Sequence, residues 1–379
     1  MRVLQVIETL GRGGAEQSLL NLLPALRDTG VEVEVAYLFG RDELAADFEE
    51  KGILLHSLKL PGRWSVRAGR RALGELIRRG NFDVVHSHLY FAVLYSLLNA
   101  GKDGPVMVAS YHNLGYASFP ANTVAKKLRK AWMKWLVRRR LDVGTGVSTA
   151  VVEHYRQHLA IERIVTLPNA FPLDTLRSDP GLDVATVLSE FQIPKDKYVV
   201  VVPGRLVVEK NHEVVLEALR SMHEEAVHMV IVGHGPRASW LQEQLSTSKL
   251  KERVTFIEGL PHKDLLRLVQ ASDVFVSAAR YEGFGLAPAE AMALGKPVVA
   301  TAVGGHLDLI EHEVSGLLVP VGDAKALSAV VEGLRQNPER ARTLGDAACH
   351  RIRSHFSDTE VAGQLKKLYQ TMLDEKHAG

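Results

Sequence analysis

Short apolar runs rich in β-branched residues alternate along the chain with longer segments whose apolar positions follow a helical period. Seven such runs predict strands in the first half, at residues 3–7, 31–37, 53–58, 83–86, 106–110, 143–147 and 164–167. Six more follow in the second half, at residues 198–203, 228–233, 254–257, 274–277, 297–300 and 317–319. Strands that alternate with helices are typical of parallel sheets covered by helices, so we expect an α/β protein built on two such sheets.

The length of the chain supports two domains. Its 379 residues exceed what one ordinary core holds and fit two domains of roughly 150 to 200 residues each. Residues 168–172 read Pro-Asn-Ala-Phe-Pro, and Pro and polar residues continue to Pro194, as expected of a hinge. We therefore place the domain boundary near residue 170.

The last helical segment must bury one face. Within residues 359–373 the apolar side chains recur at helical spacing, at Val361, Leu365, Leu368 and Met372. Such a helix requires a groove to receive it.

Composition narrows the cellular setting. The single cysteine, Cys349, excludes an intramolecular disulfide framework and a thiolate zinc site, which favours a reducing compartment. No apolar stretch approaches the roughly 20 residues that span a bilayer. Residues 1–11 resemble a buried strand more than a secretory signal. We expect a cytoplasmic protein, with membrane association limited to the cytoplasmic face, and no nucleic-acid partner.

A glycine-rich loop, residues 11–14, follows the first predicted strand. Its Gly-x-Gly-Gly spacing, with Gly13 and Gly14, would let backbone approach a phosphate at a helix start. It departs from the dinucleotide fingerprint Gly-x-Gly-x-x-Gly because Glu16 stands at the final position, which disfavours a nicotinamide dehydrogenase. A ligand loop and a tight structural turn both remain open.

Two cations follow the first strand of the second half. Arg205 and Lys210 lie five residues apart in the loop after residue 203. An arginine offers a fork of donors and a lysine a point charge, so the pair could converge on one diphosphate. In isolation, two solvated surface cations would explain the loop equally well.

Two glutamates enclose a glycine-rich turn further along. Glu282 and Glu290 are separated by seven residues; Pro288 suits the first turn of a helix, and Gly295 suits its end. The loop 283–286 would then present backbone N–H groups at the positive end of that helix. Glycines that flank an aromatic residue between two acids have no evident structural need, which favours a binding function.

At this point the chain resembles the large family of retaining GT-B glycosyltransferases. The most specific element is the Glu, seven residues, Glu motif that contains Glu282-Gly283-Phe284-Gly285. Supporting segments are 13–16, 204–210, 232–236, 304–305, 315–319 and 356–357. The resemblance implies two Rossmann-like domains facing each other across a cleft. We assign residues 1–170 to an acceptor domain, joined by a C-terminal helix at about 357–379, and residues 171–356 to a donor domain.

The resemblance also implies roles for single residues. Arg205 and Lys210 would neutralise the donor diphosphate, Glu290 would hold ribose hydroxyls, and Glu282 would read the donor sugar. His112 matches a family histidine near the anomeric carbon. The remaining implied donor contacts are Gly13, Gly14, Gly233, Phe284, Gly285 and Leu286. The sequence departs from the usual family pattern at the hinge, at residues 278–279 and at His306. These departures prevent assignment to one subfamily, but they remove no charged group from the expected site.

The expected reaction transfers a sugar from a nucleotide diphosphate to an acceptor hydroxyl with retained anomeric configuration. The sequence holds no Asp-x-Asp pair, so we expect metal-independent turnover in which the two cations take the place of Mg²⁺. We expect no cofactor, and a UDP-sugar rather than a GDP-sugar as the donor substrate. The alternatives are an epimerase or a phosphorylase on a similar fold, and a nucleotide-sugar-binding scaffold without turnover.

One segment suggests a further partner. Residues 1–168 hold 23 Lys and Arg against 16 Asp and Glu, and eight of the cations fall within residues 123–140, which contain no acid. As a helix, this segment places on one side the apolar residues Val124, Leu128, Ala131, Trp132 and Trp135. That pattern fits an anionic membrane surface or polyanionic acceptor, and equally a domain helix whose apolar side faces the sheet.

Overall fold

A computed structural model describes residues 1–118, 123–222, 226–246 and 249–378 of the chain. The chain forms two compact units. Residues 1–172 and 356–379 make up the first, and residues 173–355 make up the second. No helix in the described ranges combines the length and the apolar character needed to cross a bilayer.

The first unit is built on a seven-stranded parallel sheet in the order β3-β2-β1-β4-β5-β6-β7. Its strands are β1 Arg2–Ile7, β2 Glu32–Tyr37, β3 Leu54–Ser57, β4 Val84–His88, β5 Val106–Tyr111, β6 Val143–Gly146 and β7 Ile164–Thr166. Its helices are α1 Gly14–Asp28, α2 Ala45–Glu50, α3 Val66–Gly80, α4 Tyr90–Leu97, α5 Gly115–Ser118, α6 Val124–Arg140 and α7 Thr149–Leu159. Strand order reverses between β1 and β4, which opens a crevice at the carboxyl ends of these strands.

The second unit repeats this plan with six parallel strands in the order β10-β9-β8-β11-β12-β13. Its elements are, in chain order, α8 Val184–Glu190, β8 Tyr198–Pro203, α9 His212–Ser221, β9 Val227–Val232, α10 Ala238–Ser246, β10 Val254–Ile257, α11 His262–Ala271, β11 Val274–Ser277, α12 Leu286–Ala293, β12 Val298–Thr301, α13 Gly304–Leu309, β13 Leu317–Val319, α14 Ala324–Gln336 and α15 Pro338–His355. Two 3₁₀ turns, Val208–Lys210 and Lys249–Glu252, complete it. The order of strands reverses between β8 and β11.

The final helix, α16 Asp358–Ala378, belongs to the first unit. Its buried side chains Val361, Leu365 and Met372 join the core formed by β1, β2 and α1, and Leu368 packs at the edge of that core. Beside it, the N–H of Phe171 donates to the carbonyl of Phe356 at 2.9 Å. The groove that the apolar spacing requires is therefore supplied by α1 and the sheet.

The fold class predicted from the sequence is confirmed. Each of the thirteen predicted strands coincides with an observed one, with ends that differ by no more than two residues. Capping residues explain several helix limits: Ser148 accepts from the N–H of Val151 at the start of α7, and Gly295, with φ of +73°, ends α12 as predicted. The two units divide after residue 172, and Ala170 and Phe171 are fully buried in the first unit.

Candidate active site

The loop after β8 sits at the switch point of the second sheet and carries both predicted cations. The backbone of this loop packs closely against the turn after β9. A Cβ built on Gly233 would lie 1.8 Å from the carbonyl oxygen of Gly204, so only glycine fits at position 233. The N–H of Gly204 also donates to the carbonyl of Val232 at 2.9 Å. Gly233 therefore shapes the loop through close packing. Arg205 is exposed and takes part in none of the ion pairs formed within the described ranges.

Lys210 and Glu282 are brought together from neighbouring strand ends. The ammonium of Lys210 donates to Glu282 Oε2 at 2.5 Å, and both side chains are largely shielded from solvent. Burial alone would raise the pKa of Glu282, but the charge and hydrogen bond of Lys210 outweigh it and hold that pKa below its usual value. The N–H of Gly283 donates to Glu282 Oε1 at 3.2 Å. The pair is thus a charged, oriented contact.

The turn between the two glutamates leads into α12. Gly285, with φ of +103°, precedes the helix in a left-handed conformation that favours glycine. The interpretation that this glycine has no structural need is therefore wrong. Phe284 is buried, and Leu286 is the first residue of the helix, so its N–H has no intrahelical acceptor. The backbone at residues 284–286 therefore surrounds the positive end of α12, as predicted.

Glu290 lies one turn into α12 and already has a partner. Its Oε1 lies 2.9 Å from His262 Nε2, at the start of α11, and its side chain is only 16% exposed. The hydrogen bond to this carboxylate raises the pKa of His262 above the usual value. The sequence patterns did not single out His262, and no local signal would have done so.

A second glycine pair packs beneath Glu282. A Cβ on Gly304, whose φ is +42°, would lie 2.0 Å from the carbonyl oxygen of Glu282. His306 is fully buried behind this turn, with Nδ1 2.9 Å from the carbonyl oxygen of Thr301. Burial lowers the pKa of His306, so its imidazole donates to Thr301 as a neutral ring. The turn after β12 therefore fixes the backbone that carries Glu282.

In the first unit, the glycine loop begins α1. Gly13 is the residue before the helix and Gly14 is its first residue. A Cβ on Gly13 would lie 2.4 Å from Glu16 Oε2, and Glu16 is buried, with Thr9 donating to its Oε1 at 3.0 Å. The contact is with the end of a flexible side chain that can rotate away, so it does not by itself require glycine at position 13. Burial raises the pKa of Glu16.

His112 follows β5 and joins a buried polar chain. His112 Nε2 lies 3.0 Å from His88 Nδ1, and His88 Nε2 lies 2.8 Å from Gln5 Oε1. The Gln5 amide donates to Tyr369 Oη at 3.1 Å, and Tyr369 lies 2.5 Å from His86 Nδ1. Burial lowers the pKa of His112 to about 4 and that of His86 to about 3. All three imidazoles are therefore neutral near pH 7.

The direction of these hydrogen bonds determines which ring nitrogen of His112 carries the proton. Because Gln5 accepts from His88 Nε2, the neutral His88 ring has an unprotonated Nδ1, which accepts from His112 Nε2–H. His112 Nδ1 then carries a free lone pair. The strand spacing of His86 and His88, two residues apart, puts both on one face of β4, and this pattern could have revealed the cluster from sequence.

A cavity of about 500 Å³ opens beside His112 in the first unit. Six of its lining residues are aromatic, namely Trp64, Tyr90, Phe91, Tyr111, Tyr116 and Tyr155. Sequence reasoning missed this cavity because the aromatics come from distant segments. Among the described residues, no group of three or more His, Cys, Asp or Glu side chains is placed to hold a metal ion.

Two family models cover most of the chain. Residues 12–175 match Glycosyltransferase Family 4, and residues 185–351 match Glycosyl transferases group 1. The first region carries the His112 cluster, and the second carries the Lys210–Glu282 pair.

Individual proteins agree with these models. A glycogen synthase of Mycobacterium tuberculosis is 31% identical over 319 residues, which cover 81% of this chain and 73% of the relative. The alpha-D-kanosaminyltransferase of Streptomyces kanamyceticus is 24% identical, with 81% of each chain covered. The Anabaena HepE structure in complex with UDP superposes with a TM-score of 0.84 at 20% identity, over 98% of this chain and 100% of that one. The chain therefore belongs to the group 1 glycosyl transferases.

Proposed function

We propose that the protein is a retaining, metal-independent glycosyltransferase that moves a sugar from a nucleotide diphosphate, with UDP-sugars preferred, to an acceptor hydroxyl. The observation that carries the proposal is the convergence of Lys210, Glu282 and the start of α12 at the switch point of the second sheet. HepE, which shares the fold, was crystallised with UDP and with UDP-glucose. That neighbour supports a uridine nucleotide as the donor.

The leaving diphosphate would bind to cations and to the helix start. Arg205, exposed in the loop after β8, and Lys210 can both donate to phosphate oxygens, while the N–H groups at the start of α12 add a positive dipole end. Charge on the leaving group grows in the transition state, so donors fixed in place stabilise it more than they stabilise the ground state. These groups would perform the role that a divalent metal has in other transferases.

The two glutamates would read the rest of the donor. Glu290 has one carboxylate oxygen held by His262 and a second one able to accept from ribose hydroxyls. Glu282, fixed by Lys210 and Gly283, would accept from hydroxyls of the donor sugar. His112 would accept a sugar hydroxyl through Nδ1, the atom left without a proton by the buried chain.

The direct test requires no acceptor. UDP-glucose and GDP-mannose would each be incubated with enough protein for hydrolysis to be faster than mutarotation, and the anomer released would be identified by ¹H NMR. Release of α-glucose from UDP-glucose, faster than mannose from GDP-mannose, supports the proposal. Release of β-glucose contradicts retention, and absence of both UDP binding and hydrolysis contradicts the donor role.

We further propose that α6 docks on an anionic membrane surface. The helix packs inward through Met133, Leu136 and Val137, yet leaves large apolar side chains in solvent: Val124 is 74% exposed, and Leu128 is 66% exposed. Trp135 is 50% exposed and Trp132 is half-buried. An apolar stripe surrounded by eight cations and no acid is complementary to acidic lipid headgroups. The alternative, a domain helix whose apolar side faces the sheet, therefore accounts for only some of the apolar residues of α6.

A further inference from the structure

The cavity beside His112 combines an aromatic wall with a cationic rim. Tyr111 and Tyr155 stack with ring centroids 3.8 Å apart, and Trp64 meets Phe91 edge to face at 5.1 Å. Stacked aromatic faces of this kind suit the apolar faces of a sugar ring or an alkyl chain. The wall is preformed, because these rings hold one another in place.

The rim carries four cations, Arg63, Lys126, Arg129 and Lys130, against one carboxyl group, Glu8. Arg129 lies over the Trp64 ring at 5.0 Å and Lys130 over the Tyr116 ring at 4.8 Å, so both cations are held against the aromatic wall. Arg63, Arg129 and Lys130 form no ion pair with another residue of the described ranges. Burial raises the pKa of Glu8, whose Oε1 accepts from the N–H of Phe91 at 2.9 Å. The rim is therefore strongly positive.

Two phenol groups of the lining are buried. The hydroxyl oxygens of Tyr90 and Tyr111 are both inaccessible to solvent and make no hydrogen bond to another residue that the structure describes. Because solvent does not reach these oxygens, a ligand in the cavity would contact the rings of the two tyrosines rather than their hydroxyl groups.

We infer that this cavity binds the acceptor, and that the acceptor carries a phosphate group close to the hydroxyl that is glycosylated. Several cations around one cavity suit a group with two negative charges better than a single carboxylate. The aromatic wall would hold the adjoining sugar ring or chain, with His112 at its edge. The inference rests on the proposed transferase function and assigns the class of acceptor, which that function leaves open.

The phosphate could belong to a soluble sugar phosphate or to a lipid phosphate, and two pairs of probes separate these sources. Glucose 6-phosphate would be compared with glucose, and octyl phosphate, kept below its micelle concentration, with octanol. Each would be titrated calorimetrically into the full chain with saturating UDP present, so that the donor site is filled. We expect one or both phosphates to bind at least about tenfold more tightly than the neutral counterpart.

Variants locate the binding on this rim. The double substitution Arg129→Gln with Lys130→Gln should weaken the phosphate probe by about tenfold or more, because each removes a charge-assisted contact. The matched control is Lys127→Gln with Arg139→Gln, which removes the same charge from exposed positions of α6 outside the cavity lining. This control should stay within about twofold of the wild type.

The inference would be overturned if the phosphate and neutral probes bound equally well. It would also be overturned if the double substitution on the rim and the control double substitution lost the same amount of phosphate binding. In both cases UDP binding, and with it the donor proposal, would be unaffected. Loss of UDP binding with phosphate binding retained would instead overturn the donor proposal alone.

Discussion

Lys210 and Glu282 hold each other in an ion pair of 2.5 Å although they lie 72 positions apart in the sequence. Both belong to the proposed donor site, and the ammonium group of Lys210 has three N–H donors, so it can donate to a diphosphate while it remains paired with the carboxylate. The pair keeps both charges oriented before a ligand arrives, which lowers the reorganisation that binding requires.

We expect Arg205→Ala and Lys210→Ala to lower turnover more than they weaken UDP binding, because the charge that they stabilise grows in the transition state. Each should cost roughly 100-fold to 1000-fold in kcat. Steady-state kinetics and UDP titration would measure the two effects separately. Arg220→Ala, at an exposed position of α9, is the control and should leave both unchanged. Turnover within about threefold of the wild type in the Arg205 and Lys210 variants would contradict the assignment.

Activity should survive excess EDTA, because cations of the protein would stabilise the leaving diphosphate. Release of UDP would be followed with and without chelator, and again after addition of Mg²⁺ or Mn²⁺. Rates should agree in all samples. A rate that collapses in EDTA and recovers with metal would show that the two cations do not suffice.

The buried histidines of the first unit predict a loss of stability in acid. The pKa of His86 is lowered to about 3 and that of His112 to about 4, against 6.5 in an exposed histidine. The unfolded chain therefore binds protons that the folded chain does not, and the free energy of unfolding falls as pH drops from about 6.5 towards 4. Above about pH 7 these groups contribute no slope.

Urea denaturation at about pH 8, 6.5 and 5 would measure this slope, which each buried histidine can raise by at most about 1.4 kcal/mol per pH unit. His88→Gln should destabilise the protein at high pH and flatten the acid slope, since burial also lowers the pKa of His88. His377→Gln, at an exposed position of α16, should leave the slope unchanged. An identical slope in His88→Gln and the wild type would contradict the prediction.

Vesicle binding tests the surface of α6. Co-sedimentation with anionic vesicles at low salt should retain the protein, and neutral vesicles or high salt should release it, because each Lys or Arg near the surface contributes about 1 kcal/mol. Leu128→Ser with Trp135→Ser should weaken binding, while Leu54→Ser, at an exposed apolar position of β3, should not. Failure to bind anionic vesicles at low salt would rule out membrane docking.

The strands were predictable because their apolar runs are short, β-branched and regularly interrupted, and both sheets followed from this alternation. The end of α12 was predictable because Gly295 suits a left-handed residue after a helix, whereas the left-handed conformation of Gly285 before the helix was not predicted. The close approach at Gly233 was not predictable, since the clash involves backbone from another strand end.

Long-range polar contacts were beyond the sequence patterns. The contact between Glu290 and His262, and that between His86 and Tyr369, join segments whose separation in the chain gives no periodic signal. The aromatic cavity was missed for the same reason. His112 was found only through the family resemblance, and its place in a buried chain of neutral rings comes from the structure.

The position of α16 has a consequence for the order in which the protein is made. The ribosome releases residues 1–172 first, but their core lacks Tyr369 and its neighbours until α16 emerges. The second unit is continuous in sequence and can complete its own core earlier. During synthesis the apolar groove of the first unit therefore stays uncovered until the whole second unit has been translated. This interval is when the nascent chain is most exposed to aggregation and to chaperones.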